Sequence, residues 1–138
     1  MAKKKVFVSY DHSEDKHYKN LLAAWSANPR FDFSFDQRSP DVAINSTNAP
    51  TIKAALTKMM KESDYLLVLI GEKSSKSKWM TWEIDRAKED DTKLKLAAVK
   101  LNYGNITPAG LLGSGTAFAT SFSQEKIIDA LDDADNNY

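Results

Sequence analysis

Trp79 and Glu83 stand four residues apart, and Ser9, Tyr10 and Asp11 close a short apolar run near the start of the chain. On a helix, residues four apart share one face. An indole beside a carboxylate suits a flat ring or a sugar: the acid grips hydroxyls or offsets positive charge developing at a sugar carbon. Gly71, Glu72 and Lys73 close a second apolar run. Lys73, Lys76 and Lys78 form a basic turn, read first as solvated and second as a phosphate contact, since helix N-termini and lysines favour anions. The only histidines are His12 and His17, and cysteine is absent. Thiolate nucleophiles, disulfides, zinc–thiolate sites and a three-histidine metal site are thereby excluded, and no metal is expected.

These residues need elements to hold them. Lys4 to Ser9 (KKVFVS) reads as a first strand. Ser13-Glu14-Asp15 gives a helix-start signal, with Tyr18, Leu21, Leu22 and Trp25 as the apolar face and Asn28-Pro29 as the stop. Phe31 to Phe35 alternates as an edge strand, and Gln37 to Asn48 is a polar loop. Asn48-Ala49-Pro50 opens a second helix with Ile52, Leu56, Met59 and Met60 inward. Asp64 to Gly71 (DYLLVLIG) is continuously apolar, as a strand buried on both faces would be. A helix begins near Ser77 and carries Trp79, Trp82, Glu83, Ile84 and Ala87; Lys93 to Leu101 is a fourth strand. Asn102 to Gly115 is irregular and Ala117 to Thr120 a short last strand. Ser121 with Gln124 matches a capping box for a final helix bearing Ile127, Ile128 and Leu131, and 132–138 reads as a frayed tail.

This alternation predicts one α/β domain over 1–138, a five-stranded parallel sheet between helix layers in the flavodoxin-like order 2-1-3-4-5. In such sheets ligands bind at the carboxyl ends of the strands where the order reverses. Here that crevice lies between the first and third strands. It should gather Ser9, Tyr10 and Asp11 with Gly71, Lys73, Trp79 and Glu83. A phosphoacceptor receiver is set aside, because Ile70-Gly71-Glu72 stands where its aspartate would be. A flavodoxin is set aside because Tyr10-Asp11-His12-Ser13-Glu14 is acidic and lacks glycine, which suits phosphate poorly.

Lys and Arg number 19, balanced by 19 Asp and Glu, which argues against broad capture of nucleic acid and leaves little repulsion against self-association. The longest apolar run, Tyr65 to Ile70, is far short of a membrane span. The N-terminal Lys3-Lys4-Lys5 is followed by too short an apolar stretch for a secretory signal. A soluble cytoplasmic protein is expected, without nucleic-acid or membrane partners.

Phe7-Val8-Ser9-Tyr10-Asp11 resembles the first-strand box of TIR domains, and Trp79-Met80-Thr81-Trp82-Glu83 matches their W-x-x-x-E helix. Ser63 to Gly71, followed by Ser77-Lys78-Trp79, is similar to the TIR-like proteins of bacterial Thoeris anti-phage systems. The likeness spans most of Val6 to Ala98. It implies cleavage of the nicotinamide–ribose bond of NAD, with NAD as substrate rather than cofactor, and a cyclic or otherwise modified ADP-ribose signal for a downstream effector. It further implies Glu83 as the catalytic carboxylate. Ser9 and Tyr10 would lie beside the nicotinamide and ribose, with Trp79 packing on the nucleotide or holding the helix. Homo-oligomeric assembly is also in keeping with the family. The second strand and its loop lack the arginine–aspartate–proline–glycine turn of animal TIR domains, so Asp36 and Arg38 and the adenine end stay unassigned. Two other readings fit the same pattern: a non-catalytic interaction module, and a nucleoside deoxyribosyltransferase-like enzyme.

Overall fold

The computed structural model describes residues 3–11, 16–36 and 44–138. Five parallel strands form one sheet in the order β2-β1-β3-β4-β5. They are β1 (Lys4–Ser9), β2 (Phe33–Asp36), β3 (Tyr65–Ile70), β4 (Lys95–Lys100) and β5 (Ala117–Ala119). The helices are α1 (Lys16–Ser26), α2 (Ala49–Lys61), α3 (Lys78–Ala87) and α4 (Gln124–Asp133). The expected order 2-1-3-4-5 is therefore the observed one. The helix-start signal at Ser13 to Asp15, His12, Arg38 and Ser39-Pro40 fall outside the described residues.

Strand alternation sorts the side chains into two cores. Val6, Val8, Leu67 and Leu69 face α1 and α4, meeting Leu22, Ile127 and Leu131. Phe7, Leu66, Val68 and Ile70 face α2 and α3, meeting Leu56, Met60, Met80 and Ile84. All six residues of β3 are buried, which is why its sequence lacks the polar alternation of a half-exposed strand. Each such side chain contributes roughly 1.5–3 kcal/mol of burial free energy.

Three expectations are corrected. Leu21 is 46% exposed while Leu22 is fully buried. The inward stripe of α1 runs through 18, 22 and 25, and residue 21 sits one helical step off it. The final helix is capped not by Ser121 but by Ser123, whose Oγ accepts from Lys126 N at 3.3 Å. The tail does not fray. Leu96 N donates to Asp135 O at 3.1 Å, Asn136 Nδ2 donates to Lys93 O at 2.9 Å, and Tyr138 OH lies 2.8 Å from Leu94 O. A polar segment stays docked here because its polar groups find backbone partners along the entry to β4.

The β4–β5 connection contains one 3-10 turn, Ala109–Leu111, in place of a crossover helix. A Cβ on Gly110 would stand 2.8 Å from Ile84 Cγ2, so the connection lies directly against α3. Among the described residues no helix is long and apolar enough to cross a membrane.

Candidate active site

Ser9 ends β1 on the side of the sheet that faces α3, one alternation beyond Phe7. Parallel pairing sets Ser9 opposite Val68, which fixes its backbone. Helix α3 starts at the same edge of the sheet. Its N-cap is Ser77, whose Oγ accepts from Met80 N at 3.2 Å. Trp79, Met80, Glu83, Ile84 and Ala87 form the inward face of this helix at three- and four-residue spacing. The packing that seats the helix also carries one carboxyl into the interior.

That carboxyl meets Ser9. Ser9 Oγ donates to Glu83 Oε1 at 2.7 Å, with Ser9 fully buried and Glu83 2% exposed. The other oxygen, Oε2, is buried and has no hydrogen-bond partner among the described residues. Burial pushes the carboxyl up to about 8, against the smaller downward pull of the Ser9 hydrogen bond. At neutral pH the group is therefore mostly a neutral acid. A buried polar atom left without a partner is costly, and active sites are where such cost is retained.

Around the pair the expected residues separate. Trp79 is 9% exposed in the α2/α3-side core and meets Trp82 edge-to-face at 5.9 Å between ring centroids. Lys53 Nζ lies 5.7 Å from the Trp82 ring centroid. Tyr10 points to the opposite side of the sheet and is buried in the α1/α4-side core. This is the ordinary consequence of strand alternation, which reading Ser9 and Tyr10 as one cluster passes over. Asp11 is half-buried and Lys73 exposed.

Gly71 is buried, and its N–H is given to Ser74 Oγ at 2.8 Å. Ser74 Oγ in turn donates to Leu69 O at 3.1 Å. Ser74 is fully buried and knits the turn between β3 and α3. Sequence reading took this stretch as a solvated basic loop and missed it, although a serine among lysines after a buried strand is the available signal. Gly71 instead borders a cleft of about 330 Å³ lined by His17, Tyr18, Glu72, Leu101, Asn102 and Asn105. Asn105 Nδ2 holds Ile70 O at 2.8 Å beside it. The Ser9–Glu83 pair faces the α3 side of the sheet, whereas this cleft draws on α1 and the ends of β3 and β4. Among the described residues no group of three or more His, Asp or Glu side chains is placed to hold a metal ion.

The 2-1-3-4-5 parallel sheet with its four helices is a TIR-like α/β fold. The family model of the Thoeris protein ThsB, TIR-like domain, matches residues 7–105, and the chain belongs to that family. No curated protein sequence matches it. Among solved structures, the 2-deoxyribosyltransferase of the psychrotolerant bacterium Bacillus psychrosaccharolyticus is 15% identical, with a TM-score of 0.55 over 97% of this chain and 91% of that one. The TIR domains of the activated Roq1 resistosome are 18% identical over 71% of this chain, with a TM-score of 0.48. This chain spans 57% of the Roq1 chain's length.

Proposed function

We propose that this chain is a TIR-like enzyme of Thoeris anti-phage defence that breaks the nicotinamide–ribose bond of NAD and releases an ADP-ribose-type signal. The observation that carries the reading is the buried Ser9–Glu83 pair with one carboxyl oxygen left unpartnered. Nicotinamide leaves from C1′ of the ribose with the electrons of the C–N bond, and the sugar becomes oxocarbenium-like. A carboxylate held against that sugar stabilises the positive charge. Water, or a nucleophile within the same molecule, then bonds to C1′ and gives up a proton, yielding ADP-ribose or a cyclic isomer. The nicotinamide end of NAD is itself cationic. Its arrival favours the ionised form of Glu83, so substrate and carboxylate charge appear together. Membership of the ThsB family supports the reading, and on it we place a downstream effector that senses the product.

The deoxyribosyltransferase fold match concerns an enzyme of nucleosides and supports the runner-up, transfer of a deoxyribosyl group between bases. A non-catalytic interaction module is favoured by a different feature. Tyr103, Ile106, Leu112 and Phe118 are all well exposed at the β4–β5 connection and β5. Three of them line a groove of about 450 Å³, and exposed apolar groups gathered in one place mark contact surfaces. Chromatography with mass detection separates the three readings. The protein is incubated with NAD, and separately with a deoxynucleoside plus a free base, in buffer and in lysate from phage-infected cells. Free nicotinamide with an ADP-ribose isomer supports the proposal. Base exchange moves the assignment to the transferase, and intact nucleotides in every condition move it to the module.

A further inference from the structure

The same pair assigns Ser9 a task different from lining a pocket. Its side chain is fully buried, and its one hydroxyl proton is spent on Glu83 Oε1. Glu83 hangs on three side-chain torsions from a helix, whereas Ser9 has one and sits on a strand paired with β3. The rigid partner is the serine. Fixing Oε1 also settles which oxygen is available, because Oε2 alone has no described partner.

We propose that Ser9 is a positioning residue: by tethering Oε1 it presents Oε2 of Glu83 as the oxygen that meets the ligand. The inference rests on Glu83 being the working carboxyl of the proposed reaction. The other influence on the carboxyl is its burial, and among the described residues Ser9 is the only side chain that contributes to its titration, in the direction of the charged form. The hydroxyl therefore does two things through one bond. It holds the acid in a single orientation and eases its ionisation.

The experiment compares wild type with Ser9→Ala and Ser9→Thr, each first shown by circular dichroism to keep its fold. Two readouts are taken. The first is the titration of the Glu83 carboxyl carbon followed by nuclear magnetic resonance without substrate, identified by its loss in Glu83→Gln. The second is the pH profile of kcat and KM for NAD. Ser9→Ala should titrate at higher pH than wild type and move the rising limb of the pH–rate profile in the same direction. Its kcat should fall roughly tenfold to a hundredfold, the size of a lost hydrogen bond to a charged group, with KM nearly unchanged. Ser9→Thr, which keeps the hydroxyl, should restore much of both. An unshifted carboxyl titration in Ser9→Ala overturns the proposal, as does a raised KM with unchanged kcat, which would make Ser9 a direct ligand contact. If wild type leaves NAD intact, the enzyme reading fails by itself, and the carboxyl titration still decides whether Ser9 governs Glu83.

Discussion

Glu83→Gln should make the protein more stable, by an amount that grows with pH. In the unfolded chain the carboxyl titrates at its ordinary value of 4.5, and in the fold it is pushed up to about 8 by burial. Between those values the folded protein holds a proton that the unfolded chain has lost. Stability therefore falls as pH rises, by roughly 1.4 kcal/mol per pH unit. The accumulated loss is about 2 kcal/mol at pH 6, about 3 at pH 7, and levels near 5 above pH 9. Glutamine is close to isosteric, cannot ionise, and keeps a carbonyl oxygen for the Ser9 hydroxyl at the position Oε1 holds. The variant should match wild type near pH 5 and pull ahead through pH 8. Urea unfolding of both proteins at pH 5, 6, 7, 8 and 9 reads the difference directly. A stability difference that is flat with pH, or one in which wild type gains as pH rises, would refute the argument that a buried, desolvated carboxyl sits at this place.

Ser74→Ala should cost about 1–3 kcal/mol in denaturant unfolding, because Gly71 N loses its acceptor within a fully buried turn. Tyr138→Phe should cost about 1 kcal/mol, since the hydroxyl beside Leu94 O is one of the bonds that dock the tail; an unchanged midpoint would mean this hydroxyl adds nothing in solution. Gly110→Ala should lower the thermal midpoint and perturb the amide signals of α3, because the new methyl group meets Ile84. An undisturbed α3 spectrum would show that the connection yields instead of the helix.

The sheet was legible because its signals are local and redundant. The DYLLVLIG run has the composition of a doubly buried strand, Pro50 falls in the first turn of α2, and Ser77 caps α3. The Ser9–Glu83 pair was legible as two residues delivered to one edge of the sheet, but not as a bond. Nothing along the chain states that residues 74 apart share a proton at 2.7 Å. Tyr10 was placed with its sequence neighbour although a strand sends neighbours to opposite faces, and its burial in the α1/α4-side core follows from that geometry. Ser74 and the docked tail were missed for a common reason. Both are polar stretches whose partners are backbone groups of other elements, and composition alone reads such stretches as solvated. The cleft beside His17, Tyr18 and Gly71 forms from helix α1 and two separate connections, so no motif announces it.

The initial rate of nicotinamide release from NAD tests the central claim most directly, measured at pH 8 for wild type and for Glu83→Gln in lysate from phage-infected cells. If Glu83 is the carboxylate that stabilises the departing ribose, wild type releases nicotinamide and the folded variant does so at least about a hundredfold more slowly. Equal release by the two proteins would contradict the account, because the buried carboxyl would then be part of the scaffold and not of the chemistry.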